Sequence, residues 1–213
     1  MTTTSQTRFN KPVRALFKRV LLGGAVLGLA SCGGSGNPLG NATDINNPGV
    51  TGGQKLSFAY FQKCINPILL TPQHITQGGV TSTNTCAGSG CHANATGTGG
   101  ALRIEPGAQA VDVTDAANTA DVIRATDMYK NFYSSQGQAI VGEPTQSRIV
   151  TKPLVLGVLH GGGQIFANEQ DANIKLIEYW ISHPAPQGQD EFSTATYSMF
   201  TPADPQTGTC NTQ

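Results

Sequence analysis

Within seven residues, Cys86-Ala87-Gly88-Ser89-Gly90-Cys91-His92, this chain sets two thiols and an imidazole side by side. No other segment restricts the fold so tightly. Any structure must keep that loop compact, and Gly88 and Gly90 let its backbone bulge between the thiols without steric strain. A length of 213 residues suffices for one ordinary domain with appendages, or two small ones. With 26 Gly and 12 Pro, loops are plentiful, yet below a low-complexity share. Only 12% of residues are charged, which argues against a charge-driven disordered chain.

The formal charge of +0 hides an asymmetry. Five of the 13 basic residues (Arg8, Lys11, Arg14, Lys18, Arg19) fall in the first 19 positions, where no acid occurs. From Cys32 onward the remaining eight bases face all 13 acids, a net of −5. A mature protein of that sign has no electrostatic footprint for nucleic acid. The basic start is followed by 11 mostly apolar residues, Val20 to Ala30, too short for a bilayer span but right for the apolar part of an export signal. It ends in Leu29-Ala30-Ser31-Cys32, which resembles the bacterial lipobox. That resemblance implies a signal peptide over 1–31 and a lipid on Cys32, the first mature residue. An ordinary secretory signal with a coincidental cysteine is the competing reading.

Residues 32–53 then read as a lipid-anchored flexible linker, with 7 Gly, 4 Asn and 2 Pro among positions 33–53. As a coil it reaches roughly 25 Å, and fully stretched about 70 Å. By analogy with proteobacterial lipoproteins, Gly33 is not the Asp that retains a lipoprotein at the inner membrane. The implied place is the outer membrane of the cell envelope, on its periplasmic or its surface face. No 18-residue apolar run follows position 31, so membrane contact is expected through the lipid alone.

An exported chain meets an oxidising compartment, where free thiols are unusual. Once Cys32 is assigned to lipid, Cys64, Cys86, Cys91 and Cys210 remain. Two cysteines followed at once by histidine is the pattern of c-type haem attachment, here with four intervening residues instead of the usual two. The chemistry needs two thiols for the two vinyl groups and an adjacent imidazole for the iron. One covalent haem c is therefore expected on Cys86, Cys91 and His92. A small-loop Cys86–Cys91 disulfide is one alternative. A zinc site is another, although no second Cys/His pair at ligand spacing lies nearby. Cys64 and Cys210 are left to pair with each other, closing a long loop worth roughly 5 kcal/mol in the chain-entropy treatment. That bridge would pin a C-terminal extension, 185–213, back onto the first helix.

Apolar spacing predicts helices over 54–70 (Leu56, Tyr60, Phe61, Ile65, Ile68, Leu69), 118–134 (Val122, Ala125, Met128, Tyr129, Phe132) and 171–183 (Ile174, Ile177, Trp180, Ile181). Pro67 should kink the first, and Pro184 ends the last. Residues 71–85 read as a polar loop and 141–150 as a loop with a short turn; no alternating strand series or internal repeat appears. The expected fold is mostly α, a helical haem domain over 54–184 with long loops.

A helix before the haem motif and an aromatic-bearing helix near the end is similar to the ground plan of the c-type cytochromes. The chain most resembles the haem-binding domains of secreted planctomycete and proteobacterial cytochromes. The matching segments, in family order, are Phe61 to Leu69 in part, Gly100 to Ile104, Gly142 to Ser147, His160 to Gly163, and Trp180-Ile181. That resemblance implies a cytochrome c-like fold and a second axial ligand between the haem motif and the last helix. His160 is the leading candidate, because Gly161 to Gly163 would let the backbone pass close to a flat macrocycle. Met128 reads as core, His183 as a helix-end residue, and His74 and Met199 are remote. The expected function is an exported, lipid-anchored, single-haem electron carrier serving a redox partner protein, with acidic residues as docking charge. It has no substrate turnover of its own. The alternatives are a haem enzyme such as a peroxidase with an open distal site, and a haem-free structural or binding lipoprotein with a Cys86–Cys91 disulfide.

Overall fold

The computed structural model describes residues 53–213; the expected signal peptide, Cys32 and nearly all of the expected linker lie outside the described residues. Helix makes up 34% and strand 11%, so loops and turns outweigh the helices and the mixture defines no clear class. No helix among the described residues is long and apolar enough to cross a membrane.

The first helical element, α1, starts at Phe58 rather than at residue 54, because the Ser57 hydroxyl accepts the Tyr60 N–H and caps it there. It runs as a short turn Phe58–Tyr60, a wider π turn Phe61–Ile65, and a last stretch Asn66–Leu70. Proline explains the wide turn. Pro67 has no N–H for the carbonyl four residues back and its ring crowds that group. The helix adjusts by letting the Asn66 N–H reach Phe61 O, five residues back.

Residues 71–85, expected to be a loop, form an antiparallel hairpin. Strand β1 (Gln73–Gln77) pairs with β2 (Val80–Asn84), Ile75 opposite Ser82 and Gln77 opposite Val80. Gly78 and Gly79 both have positive φ (57° and 80°), which a two-residue turn of this hand requires. The helix expected over 118–134 is two helices, α2 (Ala120–Arg124) and α3 (Asp127–Gln136). The break comes at Thr126, whose hydroxyl caps Tyr129 N and starts a new helix. Its offset turns Val122 outward, 48% exposed, and Ile123 inward. The short turn expected over 141–150 is a 3-10 turn, Pro144–Gln146, followed by a true helix, α4 (Arg148–Leu154). Val155, in the left-handed region at φ 57°, stops it. Helix α5 (Ala172–Ser182) is capped by the Asp171 carboxylate and buries Ile174, Ile177, Trp180 and Ile181.

These helices meet around Phe61, Phe132 and Trp180, whose ring centres lie 5.4–6.2 Å apart. Trp180 is fully buried and its indole N–H donates to Ser57 O at 3.0 Å. The buried Asn131 amide on α3 donates to Asn66 Oδ1 and Glu105 O (both 3.0 Å) and accepts from Glu105 N (2.6 Å). One side chain thus ties α1 and α3 to the segment after the cysteine loop.

The C-terminal residues are part of this core, not an appendage held by a bridge. Met199 and Phe200 are buried, Thr196 meets Ser57 Oγ at 2.9 Å, and Tyr60 Oη donates to Asn211 O at 2.5 Å. Residues Phe200–Thr201 (β3) and Thr209–Cys210 (β4) pair, and Cys210 is bonded to Cys64 on α1 with Cα atoms 6.1 Å apart. Glu191 departs from the expected role of acids as docking charge. It is 5% exposed, and its Oε1 accepts from Arg124 Nη2 (2.9 Å), Arg124 Nε (3.1 Å) and Tyr129 Oη (2.8 Å). Burial pushes its pKa up, but hydrogen bonds from backbone N–H, Tyr129 and Arg124 outweigh that and leave it below the usual carboxylate value.

Two expected outcomes follow from this packing. Non-reducing peptide mapping of the mature protein should recover the Cys64 and Cys210 peptides linked; two alkylatable thiols at those positions would exclude the bridge. For Glu191, a depressed folded pKa means stability present above the unfolded value of about 4.3 and lost as pH falls below it. Thermal melts from pH 7 to pH 3 should therefore show a steeper acid-side loss in the wild type than in Glu191→Gln, which should be less stable at pH 7.

Candidate functional site

The loop 86–92 is built on the end of α1. Ala87 N donates to Leu69 O (3.1 Å), and the loop closes on itself through His92 N to Cys86 O (2.9 Å) and Cys91 N to Gly88 O (3.0 Å). Both thiols are free and partly buried. Burial and the neighbouring Cys91 thiol push Cys86 up to about 11, so it is held as a thiol at neutral pH. Cys91 Sγ lies 3.5 Å from the Asn84 side-chain amide at the end of β2.

His92 is fixed from behind by the segment 99–104. Ala93 pairs with Ile104 in a parallel bridge, with Ile104 N donating to His92 O and Asn94 N to Ile104 O, both at 2.8 Å. The His92 Nδ1–H donates to Leu102 O at 3.2 Å. Gly99 lies flat against the ring: a Cβ there would come within 2.6 Å of His92 Cε1 and Nδ1. Burial lowers the His92 pKa, the Leu102 hydrogen bond opposes this, and His160, Arg103 and Lys152 add to the lowering. At neutral pH the imidazole is neutral, with Nδ1 carrying the proton and Nε2 a free lone pair.

His160 stands opposite. The two imidazole rings are 8° from parallel with centroids 6.2 Å apart. The His160 Nδ1–H also donates to a backbone carbonyl, Gly163 O at 2.7 Å, which fixes that ring from behind. The other candidates for that position are elsewhere. His74 is exposed on β1 beside Thr83. His183 stacks on Tyr179 at 3.8 Å and donates to its carbonyl. Met128 and Met199 are buried in the core.

The glycines after His160 have distinct surroundings. Gly163, at φ 78°, closes a turn back to His160 O, and a Cβ there would collide with Thr76 O on β1. Around Gly161 there is open space, while Gly162 lies near the His160 ring. Leu102, Gly99, Thr76 and Asn84 had no functional reading in the sequence. The one available signal was the Gly99-Gly100 pair ahead of Leu102.

Among the described residues no group of three or more His, Cys, Asp or Glu side chains could hold a metal ion, so a multi-ligand zinc cluster is not assembled. Two imidazoles this close could instead serve together as ligands of one metal ion. An open cleft of about 390 Å³ lies between Leu154, Leu156 and Gln164 and includes neither histidine. The chain matches no family model, no curated protein and no solved structure.

Crowding behind the ring makes Gly99 testable. Gly99→Ala should destabilise the protein by about 1–3 kcal/mol, the usual cost of overpacking. It should also shift the His92 ring resonances by NMR. Gly107→Ala, where a Cβ meets open space, should change neither.

Proposed function

We propose that this chain is an exported, lipid-anchored, single-haem c-type cytochrome that passes electrons one at a time to a redox partner protein. The observation that carries the reading is the opposed pair His92 and His160, parallel and 6.2 Å apart, next to two free thiols. Cys86 and Cys91 would hold the haem covalently, and His92 and His160 would bind its iron. The haem c would supply an iron that cycles between ferric and ferrous states.

The chain's own residues then have defined tasks. Leu102 O and Gly163 O each accept an Nδ1–H, which orients both rings and raises the basicity of both Nε2 atoms. The same bonds prevent either ring from presenting the wrong tautomer. An apolar macrocycle also needs apolar cover, and the segment entering His160 offers it: Leu159 is 90% exposed and Leu156 45%. With His92 and His160 both holding the iron, no ligand place would be left for a substrate, which favours electron transfer over a peroxidase with an open distal site. The free state of Cys86 and Cys91, in a chain that does bond Cys64 to Cys210, favours attachment over a small-loop disulfide. Export, the lipid on Cys32 and the outer-membrane location rest on the sequence alone.

Replacing Cys86 and Cys91 with Ala in the exported protein should abolish haem staining on a denaturing gel. Full staining in the double variant would overturn the reading. In the wild type the ferric spectrum should be low-spin. In His160→Ala it should become high-spin, or the iron should bind cyanide readily; an unaltered spectrum would remove His160 from the site.

A further inference from the structure

His92 and His160 are held by different parts of the chain, and one element touches both halves of the site. His92 belongs to a segment clamped by 99–104. The His160 loop has two attachments of its own. On one side Ile165 N donates to Pro153 O at 2.8 Å, near the end of α4. On the other, β1 takes the loop as if it were a third strand. Thr76 N donates to Gln164 O and Gln164 N to Thr76 O, both at 3.0 Å. The Gln77 side-chain amide donates to Gly161 O at 2.9 Å. Gly163 passes so close to Thr76 O that no side chain fits. The other strand of the same hairpin ends at Asn84, whose amide reaches Cys91 Sγ, and whose Oδ1 accepts Thr85 N at 2.8 Å at the entry to the cysteine loop.

We propose that the hairpin β1–β2 is the bracket that sets His160 against the cysteine loop, with Thr76 and Gln77 as positioning residues for the distal histidine. This rests on the haem reading above. The hairpin is otherwise unexplained: of its ten strand residues only Ile75 is buried, so it contributes little to the core. Its backbone polar groups on the β1 edge, however, are spent on the His160 loop rather than left to solvent. A hairpin that leans away carries the His160 turn with it through the Thr76–Gln164 pair. The Cys91 side is held independently by the loop's own hydrogen bonds and by Leu69. Loss of the bracket therefore frees the distal ligand while haem attachment persists.

The test uses the full-length protein carrying its covalent haem. Gln77→Ala removes one hydrogen bond from the surface without disturbing the fold. Gly163→Ala breaks the close approach to Thr76. Ser82→Ala, on the same hairpin but away from the His160 loop, is the control. In Gln77→Ala the cyanide-association rate of the ferric protein should rise roughly fivefold, the size expected from one lost hydrogen bond. In Gly163→Ala part of the ferric spectrum should turn high-spin. Haem staining on denaturing gels should stay at the wild-type level in all three, and Ser82→Ala should match the wild type throughout. If Gly163→Ala fails to fold, the Gln77→Ala rate decides. Wild-type spectra and rates in Gln77→Ala, with His160→Ala fully high-spin, would overturn the bracket and leave the haem reading standing. A wild type without covalent haem would overturn both.

Discussion

Ser57 is the residue through which the separate parts of the molecule meet. Its carbonyl accepts the Phe61 N–H of α1 at 3.1 Å and the Trp180 indole of α5 at 3.0 Å. Its hydroxyl caps Tyr60 and donates to Thr196 in the C-terminal segment. It is fully buried, so each of these bonds forms away from water and each unpaired alternative would be costly. With Phe58 N bonded to Glu191 O one residue later, the start of α1 is locked to the last helix and to the tail at once. The aromatic cluster of Phe61, Phe132 and Trp180 can close only in that arrangement. The orientation of α1 in turn decides where Leu69 O points, and Leu69 O is the anchor of the cysteine loop.

The site itself contains no regular secondary structure. His92 and His160 both stand on loops, and rigidity comes from short backbone pairings at their shoulders: Ala93 with Ile104, and Thr76 with Gln164. Asn131 extends the first of these into the core by filling its hydrogen-bonding capacity between Asn66 and Glu105. The core supplies fixed points and the loops supply reach.

Legibility in the sequence followed how locally each feature is determined. The stripe of α5 could be read directly, because Ile174, Ile177, Trp180 and Ile181 repeat at helical spacing and one face alone is apolar. Cys64 and Cys210 could be paired once the other cysteines had roles. The hairpin could not be read. Gln73–Asn84 is polar on both faces, Ile75 is its single buried side chain, and the Gly78-Gly79 turn is its only signal. Nor could the burial of the tail, whose polar Thr196 and Glu191 are paid for by partners on Ser57, Arg124 and Tyr129, far away in sequence. At the site, the residue types at Cys86, Cys91, His92 and His160 carried a chemical message. The carbonyls of Leu102 and Gly163 did not, because every residue possesses one.

That last point bears on what kind of chemistry the two histidines suit. A general base needs its imidazole poised to gain and lose a proton, commonly with a carboxylate behind it to stabilise the cation. Both rings here are backed by neutral carbonyls, and His92 is further surrounded by burial, Arg103 and Lys152, all of which disfavour its charged form. For His92 the environment selects a neutral imidazole with a fixed tautomer and one lone pair. Such a ring is a poor proton shuttle and a good ligand. The second ring lies nearly parallel to it, centroids 6.2 Å apart, and is likewise backed by a carbonyl, the arrangement on which the proposed haem site rests.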